Sequence, residues 1–134
     1  MPGESTIMLK RTVAVIDDDM RVRESLVNLL VSFGYAVDSY ESAEQFLKSN
    51  KFSRAECIIT DVEMRQMSGL QLLQHLKGSN CASPVIIMTG KPSERSENFY
   101  LEKGAVGFFR KPVDGDALVG LLESFWLDRN SEVS

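Results

Sequence analysis

The sequence predicts an α/β domain: a doubly wound, five-stranded parallel sheet with five helices. Three observations predict it. Short β-branched runs alternate five times with segments of helical periodicity, the pattern that right-handed crossovers between parallel strands produce. The runs, such as Val13-Ala14-Val15-Ile16 and Val85-Ile86-Ile87-Met88, are apolar without alternation, as strands covered on both faces are. Acidic, hydroxyl and basic residues stand just beyond several of these runs, at the edge where an open parallel sheet collects its ligands.

The elements follow in order. Val13 to Ile16 forms the first strand, and Val22, Leu26, Leu29, Leu30 and Phe33 recur at helical spacing until Gly34 stops the helix. Tyr35 to Tyr40 is the second strand, and Ser42 is placed to cap a helix carrying Ala43, Phe46 and Leu47. Cys57-Ile58-Ile59 is the third strand; Leu70, Leu72, Leu73 and Leu76 mark a helix that ends near Gly78. Pro84 opens a fourth strand through Met88, and Ser93 to Lys103 forms a polar fourth helix whose apolar content is Phe99, Tyr100 and Leu101. Gly107-Phe108-Phe109 is the fifth strand, and Asp114 caps a last helix with Leu118, Leu121, Leu122 and Phe125 on one face. These elements make one domain over 11–127, with flexible flanks at 1–10 and 128–134.

Length and composition agree. A chain of 134 residues with 43% hydrophobic and 25% charged residues has the balance of a single globular core, not of a disordered polymer. Nineteen acidic against fifteen basic side chains leave a formal charge of −4, and no Lys/Arg block forms a stripe along which a nucleic-acid backbone would track. Direct nucleic-acid binding by this chain is not expected. The longest apolar runs are too short for a membrane span, and MPGESTIMLKRT lacks a signal-peptide core, so the reading is cytoplasmic with no membrane partner. Cys57 and Cys81 have no metal-binding spacing and are read as reduced, structural residues.

The chemistry gathers at the strand ends. Asp17-Asp18-Asp19 follows the first strand, Thr60-Asp61 the third, Thr89 the fourth and Lys111 the fifth, so residues distant in sequence converge on one edge. Convergent carboxylates repel one another, and a cation resolves the conflict. With oxygen donors only, a hard ion such as Mg²⁺ fits, with Mn²⁺ as a substitute. Lys111 is better suited as a point charge for a phosphate in the same pocket. A carboxylate there can act as a nucleophile toward a phosphoryl group. Taken singly, an Asp after a strand is as often a helix cap; taken together, caps have no reason to share an edge with complementary charge.

These residues resemble the receiver domain of two-component response regulators from about Val13 to about Phe125. VAVIDDDMRVRESL looks like the opening strand and helix with the acid pair, ITDVEMRQMSG like the phosphoacceptor segment, and IIMTG and FFRKP like the switch-hydroxyl and lysine segments. The resemblance implies a flavodoxin-like sheet of order 2-1-3-4-5. It further implies that Asp18 ligates Mg²⁺ directly, Asp17 mainly through water, Asp61 as both ligand and phosphoacceptor, and Glu63 through its backbone carbonyl. Lys111 would hold a phosphoryl oxygen, Thr89 would move to donate to another, and Phe108 would be the aromatic switch residue. The implied donor is a phosphohistidine on a sensor histidine kinase. The implied output face, and the surface for a homodimer, is the fourth helix, fifth strand and fifth helix. Output domains attached to such receivers are often helix-turn-helix DNA-binding modules controlling transcription. LDRNSEVS after Trp126 is too short for one, leaving a one-domain regulator or part of a longer protein.

The chain departs from the family pattern in places. Arg65 stands where proline is frequent, predicting a more mobile or differently shaped loop, and Glu63 and Lys91 add charges at the rim that would tune phosphoryl hydrolysis. Two other functions compete with the switch. An aspartyl-phosphate phosphohydrolase of the haloacid-dehalogenase type would use Asp17 and Asp19 as its DxD pair, but leaves Asp61 unexplained; a phosphorylation-independent scaffold would lack one of the key residues. His75 is read as solvated, Met20, Met64, Met67 and Met88 as gap-filling around strand ends, and Trp126 as either core or interface.

Overall fold

The apolar runs pair as the sequence predicts. In a computed structural model, which describes residues 11–51, 54–90 and 95–133, the strands are β1 (Thr12–Ile16), β2 (Ala36–Tyr40), β3 (Cys57–Asp61), β4 (Val85–Thr89) and β5 (Gly107–Arg110). All neighbours are parallel and the order is β2-β1-β3-β4-β5. The helices among these residues are α1 (Met20–Ser32), α2 (Ala43–Lys48), α3 (Gly69–Gly78), α4 (Glu97–Glu102) and α5 (Gly115–Val133).

Strand parity divides the core in two. Val13, Val15, Cys57, Ile59, Ile86 and Met88 face α1 and α5, where Leu26, Leu30, Leu118, Val119, Leu122 and Trp126 meet them. The alternate residues Ala14, Ile16, Ile58, Val85 and Ile87 face α2, α3 and α4, packing on Phe46, Leu72, Leu73, Leu76 and Tyr100. Each large aliphatic side chain so buried stabilises the fold by about 1.5–3 kcal/mol. Coverage on both faces is why β1, β3 and β4 are buried without polar alternation, whereas the edge strands β2 and β5 are more open. Cys57 lies wholly inside, and burial pushes its thiol up to about 12, consistent with a structural role; Cys81 is half-buried.

Local chemistry sets the helix ends. The Asp19 carboxylate accepts the Arg21 N–H at 2.9 Å to cap α1, and the Ser42 hydroxyl accepts the Gln45 N–H at 3.0 Å to cap α2. Ser68 and Gln71 form a reciprocal capping box on α3, and Asp114 accepts the Ala117 N–H at 3.2 Å at the start of α5. Gly34 takes φ +94° after α1, as the stop signal predicts. Gly107 is required for a different reason: a Cβ there would lie 2.5 Å from Leu121 Cδ2, so the missing side chain lets α5 sit close on β5.

Several expectations change. Phe33 does not continue the α1 face; as the C-cap its backbone leaves the helical conformation and its side chain is 50% exposed. Ser96 caps α4 by accepting the Phe99 N–H at 3.2 Å, so the helix begins at Glu97, and the predicted start at Ser93 lies outside the described residues. The helix predicted to give way to a tail after Leu127 runs on to Val133, since no glycine or proline interrupts LDRNSEV. The flexible segment expected at 1–10 lies outside the described residues, as does Lys91. Met20 is 58% exposed and fills no gap, while Met64, Met67 and Met88 do pack against the core. His75 is exposed, as read. Trp126 belongs to the core: it is buried, its indole N–H donates to the Tyr35 hydroxyl at 3.1 Å, and the Arg11 guanidinium lies 4.5 Å from its ring. No helix among the described residues is long and apolar enough to cross a membrane.

The two-faced core makes a simple prediction for α5. Leu118→Ala, at a fully buried position, should lose about 2–5 kcal/mol in urea unfolding, whereas Leu127→Ala, at a position 66% exposed, should stay within about 0.5 kcal/mol of the parent.

Candidate functional site

Strand register brings the polar residues together. Ile16 pairs with Thr60, so Asp17 emerges level with Asp61; Asp61 pairs with Met88, and Thr89 with Arg110, so Thr89 and Lys111 each follow one step on. The Lys111 N–H donates to the Thr89 carbonyl at 2.8 Å, extending the ladder by one bond past β5. The Lys111 side chain then crosses Gly90, where a Cβ would come within 3.3 Å of its Cδ. Thr89 is itself buried at the end of β4.

The charges are tightly coupled. Lys111 Nζ donates to Asp17 Oδ2 at 2.7 Å and lies 3.3 Å from Asp61 Oδ1, an ion-pair contact without hydrogen-bond alignment. Asp17 is completely buried and Asp61 nearly so, leaving Asp61 Oδ1 inside the protein with no hydrogen-bond donor among the described residues. Burial first, and the Asp17 charge second, push the Asp61 carboxyl up to about 6, against the opposing pull of Lys111. Burial works against the Lys111 ammonium, but its hydrogen bond to Asp17 and the charges of Asp61 and Asp17 outweigh that and raise its pKa. Lys111 therefore stays cationic, and the pocket keeps an excess of negative charge.

Asp18 is half-buried beside this pair. Carboxylate oxygens of Asp17, Asp18 and Asp61 all lie within 4.8 Å of one another. Three carboxylate oxygens, one of them buried with only the Lys111 ion pair against it, fit a hard divalent cation, which would balance the remaining negative charge. Glu63 is exposed on the loop that follows Asp61, and its side chain stands outside the acidic cluster. Asp19 is committed to the α1 cap, so the Asp17/Asp19 pair of the competing phosphohydrolase reading does not converge as a unit.

Sequence reasoning missed three supports. Arg23 Nη1 donates to the Asp17 carbonyl at 2.6 Å, fixing the turn that carries the acid pair. A Cβ on Gly69 would collide with the Asp61 carbonyl oxygen, so α3 can begin directly against the acceptor's own backbone only with glycine there. Glu44 accepts the Met67 N–H at 3.0 Å, joining α2 to the loop after Asp61. Ser68 followed three residues on by Gln71 is a capping-box spacing that could have located the start of α3, but nothing in the sequence signals the three contacts themselves. Arg65, where the loop was expected to be mobile or reshaped, donates its N–H to Asp18 Oδ2 at 3.4 Å, a bond that a proline could not make.

Phe108, the predicted switch aromatic, is half-buried on β5. Its ring stacks on buried Tyr100 of α4 with centroids 5.6 Å apart, and the Arg110 guanidinium lies 5.5 Å from its centre. On the same face, Arg95 lies 4.2 Å and Lys103 5.4 Å from the Phe99 ring.

Residues 13–123 match the family model described as the response regulator receiver domain. The chain is 40% identical over 120 residues to the transcriptional regulatory protein FixJ of Azorhizobium caulinodans, covering 90% of this chain and 56% of that one. It is 34% identical to the response regulator protein TodT of Pseudomonas putida, covering 84% and 49%. The chain thus spans about half the length of the curated relatives it matches. Among solved structures, the crystal structure of FixJ-N superposes with a TM-score of 0.77 at 34% identity, covering 87% of this chain and 93% of that one. The response regulator StyR gives 0.78 at 34% identity, covering 86% and 58%.

The crowded carboxylates have a measurable cost. Because the Asp61 pKa is raised in the folded state from an ordinary value of 3.8 to about 6, its contribution to stability is best below pH 4 and is lost as pH rises through 6. In chelator, Asp61→Asn should therefore unfold at higher urea than the parent at pH 7.5, by roughly 1–3 kcal/mol, with the difference closing near pH 4.

Proposed function

Because this chain belongs to the response regulator receiver domain family, we propose that it is a phosphorylation switch in which Asp61 accepts a phosphoryl group from the phosphohistidine of a sensor histidine kinase. The buried, donor-less Oδ1 of Asp61, between Asp17 and Asp18 on one side and Lys111 on the other, is the observation that carries this reading. Mg²⁺ would be the cofactor, with Mn²⁺ able to replace it; Asp18 and Asp61 would hold it through carboxylates, Asp17 mainly through water and Glu63 through its backbone carbonyl. When bound, the ion neutralises charge on the transferring phosphoryl group.

The chain's own residues do the rest. Asp61, ionised above pH 6, attacks phosphorus through a carboxylate oxygen as the bond to the imidazole nitrogen breaks, and the imidazole leaves with its electron pair. Lys111, already held cationic between Asp17 and Asp61, supports the charge on one phosphoryl oxygen. The Thr89 hydroxyl donates to another and thereby draws in the end of β4. Phe108, stacked on Tyr100, then sinks further or turns outward. Lacking a hydroxyl, Phe108 distinguishes the two states by burial and not by hydrogen bonding. The transfer and the later hydrolysis are self-catalysed on this chain, which turns over no separate substrate.

The output surface is α4, β5 and α5, where Arg95, Lys103 and Arg110 lie on Phe99 and Phe108. We assign a phosphorylation-dependent homodimer to it. The name of the relative FixJ, a transcriptional regulatory protein, supports a role in transcriptional control; we place the switch in the cytoplasm and assign contacts with DNA to a separate output domain, since this chain has no basic stripe to make them.

Intact mass after incubation with acetyl phosphate and Mg²⁺ tests the assignment. One phosphoryl group should add to the parent, none to Asp61→Asn, and none in excess EDTA; an adduct surviving in Asp61→Asn overturns it. Lys111→Ala should slow the uptake on the order of a hundredfold, the scale for removing one preorganised charge donor. Sedimentation of the phosphorylated parent should show a dimer that the Asp61→Asn variant does not form.

A further inference from the structure

The loop after the acceptor, residues 62–68, rests Val62, Met64 and Met67 on the core, but few hydrogen bonds tie its backbone to other elements. Its start is fixed where the Val62 N–H donates to the Met88 carbonyl at 2.9 Å, and its end where the Gly69 N–H donates back to the Val62 carbonyl at 3.0 Å. Between these points Gln66 adopts φ +63°, a left-handed conformation that a non-glycine residue holds only where its surroundings impose it. Two bonds bracket that residue. On one side the Arg65 N–H reaches Asp18 Oδ2 at 3.4 Å, and on the other the Met67 N–H reaches Glu44 Oε2 at 3.0 Å.

Glu44 is unusual where it stands. As the second residue of α2 it has a favourable place near a helix N-terminus, yet its Oε1 is buried with no hydrogen-bond partner. A half-buried carboxylate with one shielded oxygen left unfilled costs stability. Among the described residues, its side-chain bond to another element is to the acceptor loop. The oxygen that makes that bond is one that glutamine also has and that aspartate, one methylene shorter, cannot extend as far.

We propose that Glu44 is a positioning residue for the phosphoacceptor site: from α2 it holds Met67, keeps Gln66 in its left-handed turn, and so keeps the Arg65 amide against Asp18. Glu44 touches neither the metal ligands nor the reacting atoms. It acts by fixing the height of the loop over the acidic cluster, and hence how well Asp18 is oriented to take a divalent cation. The inference rests on the phosphoacceptor reading above, and it assigns the loop geometry to reach and hydrogen bonding, not to charge.

Three variants of the full chain separate the alternatives. Glu44→Gln keeps reach and acceptor but loses the charge; Glu44→Asp keeps the charge but loses reach; Glu44→Ala loses both. Three readouts apply: amide hydrogen exchange at Met67 by NMR, Mg²⁺ affinity by titration calorimetry, and uptake of a phosphoryl group from acetyl phosphate. Exchange at Met67 should accelerate, and Mg²⁺ affinity and uptake rate should each fall, by about three- to tenfold in the Asp and Ala variants, the worth of one hydrogen bond. The Gln variant should match the parent in all three. Rescue by Asp instead of Gln overturns the proposal, as does parental Mg²⁺ affinity in the Ala and Asp variants. Should Glu44→Ala fail to fold, the contrast between Gln and Asp still decides. A parent that takes up neither Mg²⁺ nor phosphoryl would sink the phosphoacceptor reading and this proposal together, whereas an active parent with indifferent variants would sink only this one.

Discussion

One lysine among buried carboxylates sets the terms for the rest of the molecule. Asp17 is wholly inside, Asp61 nearly so, and Lys111 lies within 3.3 Å of both. A buried charge stripped of its partner costs several kcal/mol, so β5 must deliver Lys111 to this spot for the carboxyl edge to be tolerable. That delivery depends on parity and register. A one-residue slip of β5 against β4 would send Lys111 to the other face and bring Arg110 or Pro112 to the site. The register in turn depends on Gly107, whose missing side chain admits Leu121 and seats α5 on the strand. A glycine at one end of a four-residue strand and a lysine just past the other are therefore parts of one constraint.

The two faces of the sheet carry different duties. On the α1 and α5 side, apolar packing and the Arg23 contact hold Asp17 firmly, and the lysine reaches across. On the other side, helices α2 and α4 are only six residues each, and Phe108 is half-exposed on Tyr100. Short helices with few buried side chains rearrange at lower cost than long ones. The buried charges and the half-exposed aromatic residue thus share a sheet edge, with the ten-residue α3 as the longest helix on the aromatic side.

Most of this architecture was legible because it depends on period and punctuation. Continuous apolar runs in β1, β3 and β4 and leucines at helical spacing in α1 and α3 left little choice of element, and Gly34, Ser42 and Asp114 marked ends by chemistry that acts locally. Asp17, Asp18, Asp61 and Lys111 were legible as a group because parallel strands must all open toward one edge, and the fold delivers them there. What the sequence hid was contact between elements: the Gly69 approach to the Asp61 carbonyl, the Met67–Glu44 bond, and the burial of Trp126 under Arg11. Each depends on where two helices or loops come to rest, which no local periodicity encodes. The exposure of Phe33 was hidden for a related reason, since an apolar residue at the right spacing leaves the stripe once the helix has ended before it.

Trp126 is the only tryptophan in the chain, and its surroundings are polar in a particular way: a tyrosine hydroxyl at its N–H and a guanidinium over its ring. Tyr35 and Arg11 precede β2 and β1, so the indole sits at the amino edge of the sheet, opposite the acidic cluster. The molecule therefore carries an optical probe far from its own charge centre. Its ultraviolet emission should respond to the seating of α5 and to unfolding, while an ion held at Asp18 would have no direct path to quench it. Any change in that emission at the moment Asp61 is modified would measure rearrangement carried across the whole length of the strands, free of the local signal that a fluorophore beside the site would add.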